Sequence, residues 1–379
     1  MMRFLLLIAS LFLINSISFA NTSSCTEHQC IAVIDAGSTG SRLHIFSYDL
    51  DETNTPINIT EIGFNKETPG FATLELNQNT VNTYMNKLFS ETSVQQIPVY
   101  FYATAGMRLI PQAKQKIYYQ NLKNWFNQQS NWQLIDAKTI TGNEEALYDW
   151  LSVNYHLDTL KSPSQTVGVL DIGGASTQIA FSIKNNTIPN INKDSLIELN
   201  LYHQHLNLFV HSFLGLGQNE MTHQLLDSTS CFANNYPLPN GEAGQGNASE
   251  CVEQIASLIN GVHKTNQIVQ PTLAENPVHS WYALSGIAKL AESKPFHFPN
   301  SQLTNQNFLQ QANNFACHRQ WEELNHEFPE NEYLDAYCLL PAFYYALMVE
   351  GYGFSPNQVV NYIPSEQNFD WTLGVVLHH

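Results

Sequence analysis

The chain has 379 residues, 43% of them hydrophobic, and a formal charge of -17 from 16 Lys and Arg against 33 Asp and Glu. Such a length and apolar content allow one large or two medium globular domains. The cations are too few for a general nucleic-acid binder, which needs clustered Lys and Arg against phosphates. A small anionic substrate stays open, because a metal ion, loop N–H groups and one or two arginines can neutralise it locally.

Residues 1–20 read as a secretory signal peptide. Arg3 gives the charged start, Leu5 to Leu13 the apolar core, and Ser18-Phe19-Ala20 the cleavage site. The run is short for a membrane span, and no later segment is long and apolar enough to cross a bilayer. The mature chain is therefore expected to be soluble and secreted or periplasmic, with no lipid anchor at Cys25. Six cysteines in an exported chain point to disulfides. Of the fifteen possible pairings, sequence proximity favours Cys25–Cys30, Cys231–Cys251 and Cys317–Cys338. A zinc site built on Cys25, His28 and Cys30 lacks a fourth ligand. Asn185-Asn186-Thr187 and Asn247-Ala248-Ser249 fit glycosylation sequons.

Ile31-Ala32-Val33-Ile34 predicts a strand, Asp35-Ala36-Gly37-Ser38-Thr39-Gly40-Ser41-Arg42 a tight turn, and Leu43-His44-Ile45-Phe46 a second strand. Glycines let backbone N–H groups approach a phosphate, hydroxyls add donors, and the aspartate can hold a metal ion directly or through water. Residues 80–91 predict a helix and Ile97 to Tyr102 a buried strand. That strand runs into Ala103-Thr104-Ala105-Gly106-Met107-Arg108, where Arg108 can contact a phosphate and Thr104 a water or metal. Residues 111–128 predict an amphipathic helix. Another helix begins in Thr141-Gly142-Asn143-Glu144-Glu145, where early acids also suit the helix dipole. Adjacent Glu144 and Glu145 point about 100° apart, so at most one faces a cleft and could accept a proton from water. Helix geometry alone does not choose between them.

A second copy of the first pattern follows. Val167-Gly168-Val169-Leu170 is an apolar strand, Asp171-Ile172-Gly173-Gly174-Ala175-Ser176-Thr177 a Gly-rich hydroxyl turn, and Gln178-Ile179-Ala180-Phe181 the return strand. The repeat implies two related domains offering paired phosphate loops to a shared cleft. Neither loop has the Lys of a Walker A sequence. Further on, Ile197 to Tyr202 predicts a strand and Leu206 to Leu216 a helix ending at Gly217. His203, His205 and His211 read as surface histidines rather than a metal site. Residues 237–250 predict an exposed loop, 252–260 a helix, and Trp281 to Gly286 a strand ending in a small-residue turn. Glu322 to Tyr345 is helix-rich, with breaks at Pro329 and Pro341. It is strongly aromatic, mostly core, with one or two rings free to stack on a nucleobase. Trp371 to Leu377 predicts a short helix returning to the first domain.

Five stretches in order carry a resemblance: Asp35–Arg42, Tyr102–Arg108, Thr141–Trp150, Val167–Phe181 and Trp281–Leu290. Together they resemble the apyrase regions of the ecto-apyrase, or nucleoside triphosphate diphosphohydrolase, family, and specifically its soluble, bacterial-type members. Ala146 stands where many members have glycine, and Asn143 precedes the Glu pair. The resemblance implies an α/β chain of two ribonuclease H-like domains of the actin-like type, with the active site in the cleft between them. The divisions expected are 1–20 signal peptide, 21–150 plus about 360–379 for one domain, and 151–360 for the other. It implies a monomer that takes nucleoside tri- and diphosphates down to the monophosphate with Mg²⁺ or Ca²⁺, and binds neither nucleic acid nor membrane. Carried onto this chain, Glu145 is the general base, and Ser176 and Gln178 position the water. Asp35 and Asp171 hold the cation, largely through waters. Ser38, Thr39, Gly40, Ser41 and Arg42 form one phosphate cradle, and Gly173, Gly174, Ala175 and Ser176 the other. Arg108 and Thr104 line the cleft, and Tyr333 or Tyr337, aided by Trp371, takes the base. The same two-loop architecture serves exopolyphosphatases and pppGpp phosphohydrolases, sugar kinases and non-catalytic actin-like proteins. Secretion and the glutamate beside both loops weigh against these.

Overall fold

The computed structural model describes residues 24–90, 96–184, 192–331, 333–367 and 369–378. The signal-peptide segment and the Asn185 sequon lie outside the described residues.

Two sheets organise the chain. The first contains β1 (Gln29–Ala36), β2 (Ser41–Leu50), β3 (Pro56–Glu67), β4 (Ile97–Ala103) and β5 (Trp132–Thr139), in the order β3-β2-β1-β4-β5. The second contains β6 (Gly168–Ile172), β7 (Ser176–Ser182), β8 (Leu196–Leu201), β9 (Gln204–Leu214), β10 (Trp281–Ser285), β11 (Gln302–Thr304) and β12 (Val359–Tyr362), in the order β11-β12-β10-β6-β7-β9-β8. Each sheet is centred on an Asp-bearing strand that pairs antiparallel with its hairpin partner on one side and parallel with a later strand on the other. The sequence repeat is thus a repeat of topology.

Strand periodicity explains the layering. Along β1, Ala32 and Ile34 enter a core with the Gln78–Leu88 and Gln112–Phe126 helices, whereas Ile31 and Val33 enter a middle layer between the sheets. Along β6, Leu170 and Ile172 enter the large core of the second sheet, and Val169 enters the same middle layer. The Gly142–His156 helix fills that layer and is buried at every position from Glu145 to Asn154. It packs on β6, β7 and β9 and against the C-terminal Thr372–His378 helix, which in turn meets β1, β2 and β3. Close approach requires Gly374, where an added Cβ would lie 2.2 Å from the carbonyl oxygen of Tyr148. A division at residue 150 falls inside this shared helix.

Two expectations need correction. Residues 206–214 form the long strand β9, not a helix. Both faces of β9 are covered from Leu206 to Val210, so apolar residues fall on both faces and hide its strand period. Pro341 does not interrupt its helix. It lies in the first turn of Leu339–Tyr345, where a backbone N–H has no intrahelical acceptor to lose. All three disulfides form between the sequence-adjacent pairs, Cys25–Cys30, Cys231–Cys251 and Cys317–Cys338, which excludes the zinc alternative at Cys25 and Cys30.

Candidate active site

The period of the strands aims the polar residues. Asp35 continues the face of Ile31 and Val33, and Asp171 continues that of Val169, so both carboxylates point into the middle layer at the strand ends. Antiparallel register sets Arg42 opposite Asp35 and Gln178 opposite Asp171. Arg42 Nη1 donates to Asp35 Oδ2 at 2.6 Å. β9 then places Ser212 opposite Gln178.

The two turns meet. A Cβ on Gly174 would lie 2.5 Å from Ser38 Oγ, so the second loop leaves room for the side chain of the first. Behind Ser38, Gly106 and Gly70 admit its backbone closely, with added Cβ atoms 2.8 Å from Ser38 Cα and 2.2 Å from Ser38 O. Thr39 is exposed at the tip; Gly40, Ser41, Ala175 and Ser176 are buried; Gly173 is half-buried. Buried Thr104 donates its N–H to Ala36 O at 3.2 Å, and its carbonyl accepts from Arg108 N at 3.2 Å, so backbone hydrogen bonds tie the end of β1 to the turn carrying Arg108.

The structure distinguishes the two adjacent glutamates. Glu144 completes a capping box with Thr141 and accepts from Lys138 Nζ at 3.1 Å. Its carboxyl is committed to holding the helix end. Glu145 is buried and turned toward the loops. It accepts from Arg108 Nη2 and from Gln178 Nε2 at 3.2 Å. Gln178 Nε2 also lies 2.7 Å from Ser176 Oγ and 2.9 Å from Ser212 Oγ. Arg108 reaches the same hydroxyls, Ser176 at 3.4 Å and Ser212 at 3.5 Å. Gly142 permits this: its Cβ would lie 2.1 Å from Ser212 Oγ and 2.4 Å from Arg108 Nη1.

Burial dominates the electrostatics. It pushes the Glu145 carboxyl up to about 8; Arg108 opposes the rise, and Asp171 and Asp35 reinforce it. Asp35 and Asp171 are each pushed up to about 6, chiefly by burial, against Arg42 at the first and a hydrogen bond from Ser285 at the second. Asp35 Oδ1 and Asp171 Oδ1 have no hydrogen-bond partner among the described residues. No three His, Cys, Asp or Glu side chains among the described residues stand close enough to ligate one ion directly. Open carboxylate oxygens of this kind fit a divalent cation, held directly or through its own waters.

Several cleft residues were not foreseen. Ser212 was hidden by the helical reading of 206–216; once β9 is a strand, register alone places it. His44 is buried between Glu61 Oε1 at 2.7 Å and Asp370 Oδ2 at 2.9 Å. Burial would lower its pKa, but the two carboxylates hold it up at about 10. For Asp370, burial works upward, yet His44 and Arg42 hold it down to about 2. Asp149 is a further buried carboxyl on the Gly142–His156 helix. None of the three carries a motif signal in a single sequence.

The aromatic expectations separate. Tyr337 is buried and accepts from Asn331 Nδ2 at 2.6 Å, while Tyr333 is 53% exposed with Lys289 Nζ 4.7 Å from its ring centre. Both line a cavity of about 530 Å³ with Lys294, Phe328 and Asn331. Trp371 is buried, stacked on Tyr148. Of the histidines, His211 Nδ1 lies 3.0 Å from Ser195 Oγ and His205 Nδ1 2.9 Å from Asn200 Oδ1.

Two related sheets with hairpins facing across a shared layer define an actin-like α/β protein. The solved structures agree: a nucleoside triphosphate hydrolase from Neospora caninum is 14% identical with a TM-score of 0.62 over 92% of each chain. A Ppx/GppA protein from Aquifex aeolicus is 17% identical with a TM-score of 0.54 over 92% of this chain and 96% of that one. Residues 21–379 match the GDA1/CD39 (nucleoside phosphatase) family, and the chain belongs to it. Among curated relatives, mouse ectonucleoside triphosphate diphosphohydrolase 1 is 26% identical, the match covering 91% of this chain and 80% of the relative. The Caenorhabditis elegans nucleoside-triphosphatase ntp-1 is 27% identical over 92% of this chain and 72% of its own length. The nucleoside-diphosphatase mig-23 of the same organism is 26% identical over 92% and 76%. The chain is accordingly a nucleotide phosphohydrolase.

Proposed function

We propose that the chain is an exported apyrase, a monomer that removes terminal phosphates one at a time from nucleoside tri- and diphosphates and stops at the monophosphate. The observation that carries this reading is Glu145, held by Arg108 and Gln178 between two apposed Asp-Gly hairpins. Phosphoryl transfer to water requires in-line placement and charge neutralisation rather than a covalent intermediate. Both requirements have residues here.

The cradles of Ser38, Thr39, Gly40, Ser41 and Arg42, and of Gly173, Gly174, Ala175 and Ser176, bind the phosphate chain from opposite sides. Asp35 and Asp171 would hold Mg²⁺ or Ca²⁺, largely through water. Bound there, the cation would supply positive charge to phosphate oxygens. Gln178 and Ser176 orient a water against the terminal phosphorus. Its oxygen bonds to phosphorus as the bridging P–O bond breaks, Glu145 takes the water's proton, and the electron pair leaves on the nucleotide. Arg108 is shared between Glu145 and the hydroxyls of Ser176 and Ser212, so an arriving phosphate can draw its guanidinium and free the carboxylate. Thr104 ties that arginine to the first loop. Tyr333, backed by Lys289, offers a face for the nucleobase, and Tyr337 supports the wall of the same cavity. No helix among the described residues is long and apolar enough to cross a membrane.

A time course of nucleotides by chromatography tests the reading. ATP should give ADP, then AMP, with no adenosine and no pyrophosphate. Pyrophosphate appearing with AMP in one step contradicts it. The likeness to exopolyphosphatase-type structures supports one rival, which predicts chain shortening of polyphosphate and intact ATP.

A further inference from the structure

The helix that carries Glu145 brings a second acid to the same layer. Asp149 follows four residues later, so both lie on one helix face. Asp149 is 2% exposed, and neither of its carboxyl oxygens has a hydrogen-bond partner among the described residues. A buried carboxyl without a partner is among the more costly features a fold can keep, and calls for an explanation.

The surroundings narrow that explanation. Burial first, then the charges of Asp171, Glu145, Asp370 and Asp35, oppose ionisation of Asp149, so it stands within electrostatic reach of all four. Two of those four are committed elsewhere. Glu145 is held by Arg108 and Gln178, and Asp370 by His44 and by the backbone N–H of Thr372 at 2.9 Å. Among the carboxylates of the layer, Oδ1 of Asp35, Oδ1 of Asp171 and both oxygens of Asp149 have neither a hydrogen bond nor an ion pair among the described residues, whereas Asp370 Oδ2 faces His44 at 2.9 Å. Asp35 and Asp171 continue the β1 and β6 faces that enter the middle layer, and the helix that bears Asp149 fills that layer and packs on β6.

We propose that Asp149 is a third carboxylate of the cation site, a positioning residue that accepts hydrogen bonds from the waters of a hydrated divalent cation between Asp35 and Asp171. This rests on the reading that Asp35 and Asp171 hold that cation. A fully hydrated cation presents only O–H donors, which open carboxylate oxygens satisfy without touching the metal. Among the described residues no three His, Cys, Asp or Glu side chains stand close enough to hold an ion directly. Asp149 fixes the waters and, through them, the depth at which the cation sits.

The test is binding in the absence of nucleotide, by calorimetry on the full mature chain. The probes are MgCl₂ and hexaamminecobalt(III), an exchange-inert ion that binds through its outer sphere alone. Both should bind the natural chain and compete. Asp149→Asn should weaken both by about 10–100-fold, the usual effect of losing a group that supports metal ligands. Its metal-free melting temperature should stay close to the natural value. If the Asn variant fails to fold, Asp149→Ser decides in its place. Unchanged Mg²⁺ affinity in the Asp149 variant, with affinity lost in Asp35→Asn, overturns the inference and leaves the cation reading standing. Unchanged affinity in both variants overturns the two together. Binding of Mg²⁺ without hexaamminecobalt(III) overturns the water-mediated placement.

Discussion

Replacing Glu145 by Gln keeps the volume of the side chain and an oxygen that accepts from Arg108 and Gln178, but removes the base. The structure indicates what else changes. Burial pushes the Glu145 carboxyl up to about 8 against the pull of Arg108, so a neutral amide in its place should cost little stability. The effect should fall on the chemical step. A positioned general base contributes about 10²–10⁴ in rate, or about 3–5 kcal/mol of barrier at 1.36 kcal/mol per factor of ten. Phosphate release from saturating ATP with Mg²⁺ should drop by about that factor, with KM and melting temperature little altered. Glu144→Gln is the matched control. It removes one of the two carboxyl oxygens that accept from Thr141 N–H and Lys138 Nζ and leaves a Gln that can still complete the capping box, so it should cost no more than about 1 kcal/mol of stability and leave turnover within a few-fold. Near-normal turnover in Glu145→Gln with collapse in Glu144→Gln would refute the assignment.

Other consequences can be checked alongside. A base must be deprotonated to act, so kcat/KM should rise with pH toward about 8, and a profile flat from pH 6 to 9 would contradict the role of Glu145. Because Asp35, Asp171 and Glu145 are all raised, the fold holds protons that the unfolded chain releases. Their contribution is present below the ordinary carboxylate pKa and is lost as pH rises through about 6 to 8, so metal-free melting should fall over that window and Mg²⁺ should restore more at pH 8 than at pH 5. His44 is also raised, so its contribution is present below its ordinary value of 6.5 and fades toward pH 10. His44→Gln should destabilise the fold at pH 7 by about 3–5 kcal/mol, the cost of breaking a buried pair, seen as a lower melting temperature, and by much less near pH 10. Gly142→Ala should displace Ser212 and Arg108 and reduce kcat, while Tyr333→Ala should raise KM for nucleotides with kcat retained; an unchanged KM would remove Tyr333 from base recognition.

The repeated Asp-Gly turns, their flanking strands and the Cys pairs were legible because each is local: period, turn chemistry and proximity act within a few residues. The pairing of Ser212 with Gln178 was not, because it depends on β9, whose two covered faces erase the alternation that marks a strand. Nor could helix geometry choose between Glu144 and Glu145, since the choice is made by Lys138 and Thr141 on one side and Arg108 and Gln178 on the other. The bridge from His44 on β2 to Asp370 before the last helix joins positions hundreds of residues apart, with no spacing to announce it. The close helix-to-helix approach at Gly374 explains why a short C-terminal helix matters to a distant site: it seats on Tyr148, and Asp370 just before it pairs with His44 of β2.

The most direct measurement is phosphate release by the purified mature chain from ATP, ADP, AMP and polyphosphate, with Mg²⁺ and with the cation chelated. The account predicts cation-dependent release from ATP and ADP, none from AMP and none from polyphosphate. Release from polyphosphate alone, or equal release after chelation, would contradict it.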